Sequence, residues 1–411
     1  MKSVLMLIFS FFFGDMFGKH IDFSFTPQGS AAKSVAGNSG MDALYPEFWA
    51  GAFDELDKGQ YNFQNMVSRK YEEKLGNMGD TVNVPLAPDV TDAEDWAPGG
   101  AITATAISQE TVSVILNQSK RKTFALTGTE LSLSPYDLMK TYGTPHAEAM
   151  LRTLNKAIYE EALKAKYFTH LSAAIDEDDV IDVRTALSNR LVGLNRNFIM
   201  APDESGALLK TDAFQRGDVS MDNEGNMREG IIKRKVGFDF FENNAIEKYT
   251  PADLLGAIDN GAGYAAGTTT IVVKDFNDDA NPIRPGDIFS IADEVGTPKH
   301  TVISTTTTTS DTTGITFYPA LIDAVADSQV ITVVPTRSAI ALTPSAMALA
   351  VRPYALLPQG SGVTSTVIMY QGIPFRISIW HDGKLGINIQ FDCLFGVKKV
   401  KDSRIHRVTI A

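Results

Sequence analysis

LSPYDLMKTYGTPHAEAMLRTLNKAIYEEALKAKYF, residues 133–168, is the stretch around which the rest of the chain is organised. Ser134-Pro135 pairs a side-chain cap with a residue whose missing N–H costs nothing at a first helical position. Thr144-Pro145 repeats that signal after a break at Gly143. From there Ala147, Leu151, Leu154, Ile158 and Ala162 fall on one helical face. Glu148, Arg152, Lys156, Glu160, Lys164 and Lys166 run between them and suit water. At about 1.5 Å per residue, residues 145–168 predict a rod on the order of 35 Å long. Sequence of arms and hairpins precedes it, and sequence of a mixed domain follows. A long helix laid across one sheet, with extended arms, suits a plate that tiles.

The 411 residues exceed what one core usually organises, so two or three domains are expected. An apolar fraction of 44 % is that of a globular chain. The balance of 37 basic against 49 acidic residues, net −12, argues against tight sequence-independent binding of nucleic acid, which needs clustered Lys and Arg. The single Cys393 excludes an internal disulfide and any cysteine-based zinc site.

Working outward to the N-terminus, Lys2 and the apolar residues 4–13 have the size of a signal-peptide core. They are too short for a membrane span of about 20 residues. The following Gly14-Asp15-Met16-Phe17-Gly18 lacks a small-x-small cleavage pattern, and Ile21, Phe23 and Phe25 alternate as in a half-buried strand. An apolar arm docking on a neighbour is the preferred reading over a targeting signal. Residues 28–40 are a small-residue linker. Residues 46–58 predict a short amphipathic helix with Trp49, Phe53 and Leu56 inward.

From Gly79 the period becomes two, with Val82, Val84 and Leu86 alternating with polar residues. A turn-rich tip carries Asp89, Asp92, Glu94 and Asp95. Residues 102–116 return as a strand ending at Lys120-Arg121-Lys122. A lone hairpin is marginal in water, so this excursion is expected to lie on another subunit, its acidic tip meeting a basic patch such as that Lys-Arg-Lys run.

After the long helix, residues 182–191 predict a second helix with Val183, Leu187 and Leu191 inward. Residues 198–201 predict a short buried strand, and Val236, Phe238 and Phe240 a period-two strand. Thr343-Pro344 predicts a helix bearing Met347, Ala350 and Val351. Residues 363–370, 375–380, 386–394 and 406–410 predict strands. This is an α+β or α/β pattern. Residues 250–336 interrupt it with short Val, Ile and Thr strands at 268–274, 287–291, 301–309, 314–318 and 330–334, which read as a small inserted β domain.

Asp80-Thr-Val-Asn-Val-Pro85, Val236-Gly-Phe-Asp-Phe240 with Glu242-Asn243-Asn244, and Asp392-Cys-Leu-Phe-Gly-Val397 together resemble tailed-phage major capsid proteins of the HK97-like fold. Pro285-Gly-Asp-Ile-Phe-Ser-Ile-Ala292 with Ile315-Thr-Phe-Tyr-Pro-Ala-Leu321 is similar to the β domain inserted in podovirus-type coat proteins. The resemblance covers residues 41–410. It implies an α+β chain with an N-terminal extension or arm (1–40), an N-terminal helix region (41–78) and an extended loop (79–126). A peripheral domain with the spine helix (127–172 and 385–411), an axial domain (173–249 and 336–384) and the inserted β domain (250–335) complete it. The implied function is self-assembly, in hexamers and pentamers, into an icosahedral shell around phage double-stranded DNA held without sequence-specific binding. Scaffolding and portal proteins are the further partners, with no cofactor and no membrane. The location is the virion, after assembly in the host cytoplasm. Residues 1–40 depart from the family's usual start. An encapsulin-like compartment and a secreted β-rich adhesin are the alternative readings.

Enzyme signals are poor. Asp275, Asn277 and Asp279 have the spacing of calcium-loop ligands, but Ala280 replaces the turn glycine and Gly286 the closing glutamate. Gly261-Ala-Gly263 follows no predicted strand, so a dinucleotide site is not indicated. The six histidines are scattered, and no nucleophile elbow or phosphate loop occurs. No catalytic activity is expected.

Overall fold

The stretch quoted above folds as one long helix, displaced from its predicted ends. Among the described residues two short helices precede it, α1 (Phe63–Met66) and α2 (Gly128–Leu133); the long helix, α3, spans Leu138–Leu163. It runs through Gly143 and Pro145 without the predicted break. It also stops short of Phe168, because the N–H groups of Lys164 and Ala165 turn back to Glu161 and Ala162 and Phe168 opens a strand. Ala147, Leu151, Leu154, Ile158 and Ala162 are buried as predicted, each large one contributing about 1.5–3 kcal/mol. Glu148 does not face water; it is buried and accepts a hydrogen bond from Tyr370 Oη at 3.0 Å.

The computed structural model describes residues 61–70, 81–86, 109–133, 138–211, 214, 232, 234–250, 254–275, 283–309, 312–358, 362–381, 383 and 386–410. The predicted N-terminal strand, linker and 46–58 helix lie outside them.

Strands β1 (Thr81–Pro85) and β2 (Thr111–Ile115) form an antiparallel pair, followed by β3 (Gln118–Leu126). After α3 come β4 (Phe168–Leu171), α4 (Glu177–Asn189), β5 (Asn197–Met200), α5 (Pro202–Leu209) and β6 (Asp239–Glu242). Then β7 (Leu255–Ile258), β8 (Thr270–Lys274), β9 (Ile288–Ile291), β10 (His300–Thr309), β11 (Thr312–Tyr318) and β12 (Val330–Val334) close into a barrel in the order β10-β11-β8-β7-β12-β9. The chain ends in β13 (Arg337–Leu342), β14 (Met347–Arg352), β15 (Val363–Tyr370), β16 (Ile373–His381), β17 (Ile387–Lys399) and β18 (Ile405–Ile410).

Two five-stranded sheets hold α3 between them. In the first, β17 pairs antiparallel with β3, β14 and β16, and β15 forms the edge beyond β16. The second has the order β4-β18-β13-β5-β6, with β4/β18 and β5/β6 parallel. Phe375, Phe391 and Phe395 of the first sheet share a core with Ile199, Ile340 and Leu342 of the second and with Leu151, Leu154 and Ile158 of α3. The alternate residues Phe198, Met200, Ala339 and Ala341 turn to a second core with Val180, Val183 and Leu187 of α4 and Leu208 of α5. Period-two alternation thus loads the second sheet on both faces.

Several expectations are corrected here. Met347–Arg352 is strand β14, preceded only by a single 3-10 turn (Pro344–Ala346), and not a helix. Met347, Leu349 and Val351 face α3 while Ala348 and Ala350 face the opposite side, so an unbroken apolar run conceals the period. Helix α4 starts earlier than predicted, at a capping box in which Asp176 and Asp179 exchange hydrogen bonds of 3.0 Å. It also ends before Leu191, which has φ 57° and is 94 % exposed instead of inward. Val236 lies in a turn with Gly237, both at positive φ, so β6 begins only at Asp239. Strands β14–β16 share the first sheet with β17, while β18 joins β5 and β13 in the second.

The chain leaves β6 for the barrel and returns through a narrow neck, where the Tyr249 N–H bonds Thr336 O at 3.2 Å. Arg407 of β18 fastens the barrel to the second sheet. Fully buried, it donates to Gly286 O at 2.8 Å and to Thr301 Oγ1. Burial pulls its pKa down to about 10, which leaves it charged near neutrality. Gly286, at φ 105°, has no room for a side chain: a Cβ would stand 2.7 Å from Leu163 Cβ at the end of α3.

Candidate assembly surfaces

The β1–β2 pair carries the base of the acidic excursion, and its sequence settles where that base rests. Val82 and Val84 on β1 alternate with exposed residues, and Val114 and Leu116 face the same way from β2 and the residue just after it. These four pack on Ala348 and Ala350 of β14 and on Leu394. The base therefore lies on the outer face of its own subunit's first sheet, a correction to the expectation that the hairpin as a whole lies on a neighbour. Gly396 of β17 makes the crossing possible. A Cβ there would sit 2.1 Å from Ile115 O, so only a glycine lets β2 cross at this distance.

Lys120, Arg121 and Lys122 are not part of that hairpin. They lie on β3, exposed, in register with Cys393, Asp392 and Phe391 of β17. Registered residues share a face, so Arg121 points to the side of Asp392, whereas Lys120 and Lys122 point to the opposite one. Asp392 is buried and held by Arg376 in a bidentate pair of 3.0 and 2.7 Å, with Gln390 Nε2 donating at 2.7 Å. Asp89, Asp92, Glu94 and Asp95 lie outside the described residues. So do Asn277 and Asp279; Asp275 directly follows β8 at φ 71°. Among the described residues no group of three His, Cys, Asp or Glu is placed to hold a metal ion, and no helix is long and apolar enough to cross a membrane.

Polar side chains that the sequence did not single out join the elements internally. Asn155 on α3 is fully buried and uses all its valences. Its Oδ1 accepts from Phe63 N at 2.8 Å and Asn243 Nδ2 at 3.2 Å, and its Nδ2 donates to Gln64 Oε1 and Leu151 O, each at 2.9 Å. It ties α1, α3 and the segment after β6 together. A lone Asn in an amphipathic pattern gives no sequence signal for this, because its partners are 88 or more residues away for three of the four bonds. On β18, His406 receives Arg190 Nη2 on Nδ1 at 2.6 Å, so its Nε2 carries the proton toward Thr169 Oγ1 at 2.9 Å. Burial, then Arg190 and Arg407, pushes its pKa down to about 3. In the barrel, burial raises the Asp287 carboxyl to about 6, against the Arg284 backbone N–H and the guanidinium groups of Arg284 and Arg407. All three polar sites brace the subunit.

No family model and no curated protein sequence matches this chain. Its fold, in contrast, has solved counterparts. A chain from Mycobacterium phage Che8 superposes with a TM-score of 0.51 at 16 % identity, over 89 % of this chain and 97 % of that one. A chain from the capsid structure of the cyanophage P-SCSP1u superposes with a TM-score of 0.51 at 10 % identity, over 94 % and 99 %. The chain thus has a phage capsid fold, mixed α/β and rich in sheet.

Proposed function

We propose that this chain is the major capsid protein of a tailed phage, and that its activity is to assemble with copies of itself into an icosahedral shell around double-stranded DNA. The observation that carries this is the length of the likeness: a cyanophage capsid chain is matched over 99 % of its length and 94 % of this one. The mapping is HK97-like. Helix α3 is the spine, residues 79–126 the extended loop with its last strand, β3, joined to the first sheet, the first sheet the core of the peripheral domain and the second that of the axial domain. The closed β7–β12 barrel is the inserted β domain, a reading supported by the Tyr249–Thr336 neck that brings its ends together. Asp89, Asp92, Glu94 and Asp95, with Lys120, Arg121 and Lys122, serve as inter-subunit contacts. Each exposed ion pair is worth only about 0–1 kcal/mol, so closure rests on many weak contacts together with apolar burial. Hexamers and pentamers, scaffolding and portal proteins, and DNA held without sequence readout complete the set of partners, with no enzymatic step and no cofactor. The site of action is the virion, after assembly in the host cytoplasm.

Negative-stain microscopy and light scattering of the purified protein test the proposal. Closed shells or regular tubes are expected. A monomer that persists across protein concentration, salt and added scaffold would end the shell reading.

A further inference from the structure

A wide groove of about 1150 Å3 is walled by residues 67–70, 190–195, 343–345, 401, 403 and 404. Four separate parts of the chain build it. Among the described residues five cations line it, Arg69, Lys70, Arg190, Lys401 and Arg404, and no Asp or Glu does. That is the reverse of the chain as a whole, with its 49 acidic and 37 basic residues. Arg190 is fixed by Ser403 O, Ile405 O, Ala186 O and His406, and Arg404 by Ser345 Oγ. These partners orient the guanidinium groups without neutralising them. The groove also offers apolar surface: Leu191 is 94 % and Leu194 74 % exposed on its wall. Two large side chains left in water beside a row of cations are complementary to a ligand both anionic and apolar.

The chain itself contains such a ligand. Residues 88–97, Pro-Asp-Val-Thr-Asp-Ala-Glu-Asp-Trp-Ala, set Asp89, Asp92, Glu94 and Asp95 among Val90 and Trp96. We propose that the groove receives this segment from a second copy of the chain, the carboxylates meeting the cations while Val90 and Trp96 cover Leu191 and Leu194. The proposal rests on the shell reading and names the receptor within it. The Lys120–Lys122 run is the poorer receptor, because a strand points successive side chains to opposite faces and no more than two of the three can meet one ligand. A nucleic-acid backbone would satisfy the cations and leave the leucines in water. An extended arm of a dozen residues spans up to about 40 Å, enough to reach beyond its own subunit.

Two measurements on the full-length protein test this. The first titrates a labelled peptide of residues 88–97 into unassembled protein. Binding that weakens with added salt, and falls about tenfold or more in Lys70→Glu/Arg404→Glu, is expected. The second compares assembly. Lys70→Glu/Arg404→Glu should melt like the parent yet assemble poorly, and adding Asp92→Lys/Asp95→Lys should restore assembly. Restoration would confirm the pairing. The groove assignment is overturned if the groove variant assembles normally, if it fills less DNA while its shells form as usual, or if the tip variant is rescued by Lys120→Glu/Lys122→Glu instead. A parent that binds the peptide but forms no shell would discredit the shell reading and leave the groove's preference standing.

Discussion

His406 and Asp287 are buried titratable groups whose burial acts on folding with opposite sign. The folded-state pKa of His406 is depressed from 6.5 to about 3, so its contribution is present above about pH 6.5 and is lost as pH falls toward 3. That of Asp287 is raised from 3.8 to about 6, so its contribution is complete below 3.8 and is lost as pH rises through about 6. Between about pH 4 and 6 the two slopes oppose one another, and the parent's pH profile conceals both. Single variants should separate them. His406→Gln keeps an acceptor for Arg190 and a donor for Thr169 but cannot be charged, so its stability relative to the parent should improve as pH falls from 7 to 4. Asp287→Asn should instead improve relative to the parent as pH rises over the same range, by about 2–3 kcal/mol in full. Denaturant midpoints at three pH values measure this, and parallel profiles for parent and variants would contradict it. Neither group was legible in the sequence, since a histidine in a strand or an aspartate just before one shows nothing of its burial until distant elements close over it.

At the scale of elements, local periodicity carried the reading wherever one face meets water. The inward residues of α3 and the alternation of β1, β8, β11, β12, β15 and β16 were legible for that reason, whereas β18, buried on both faces, was read from its apolar run and the turn before it. Periodicity failed where both faces are buried, as in β14, and where packing overrides a breaker, as at Pro145. There the helix continues despite the lost N–H because sheets enclose it on two sides. The crossing of β2 over β17 was also hidden, because Gly396 shows nothing of the backbone pressed against it. Gly396→Ala tests that crossing. With Ile115 O 2.1 Å from the new methyl position, and backbone on the other side, the hairpin base must lift off β14. A loss of about 1–3 kcal/mol in a denaturant melt is expected, together with slower assembly because the extended loop is re-aimed. A variant as stable as the parent would mean that β2 is free to shift.

For the whole molecule, the groove built from residues 67–70, 190–195, 343–345, 401, 403 and 404 was illegible, its walls being separated by up to several hundred residues of chain. The acidic segment was plain from composition alone, so the sequence showed the donor of the proposed contact, and the groove is the receptor proposed for it. Replacing residues 88–105 with a two-residue Asn-Gly turn removes that segment. Val82, Val84, Val114 and Leu116 stay in place on Ala348 and Ala350, so the subunit's own core is untouched. The shortened protein should therefore remain soluble and melt cooperatively close to the parent. Its assembly should fail or stall at small oligomers, as read by light scattering and negative stain. Normal shells would show that the loop is no clamp between copies. Outright unfolding would show that residues 88–105 belong to the subunit's own core, and the groove would then have lost its donor for a different reason.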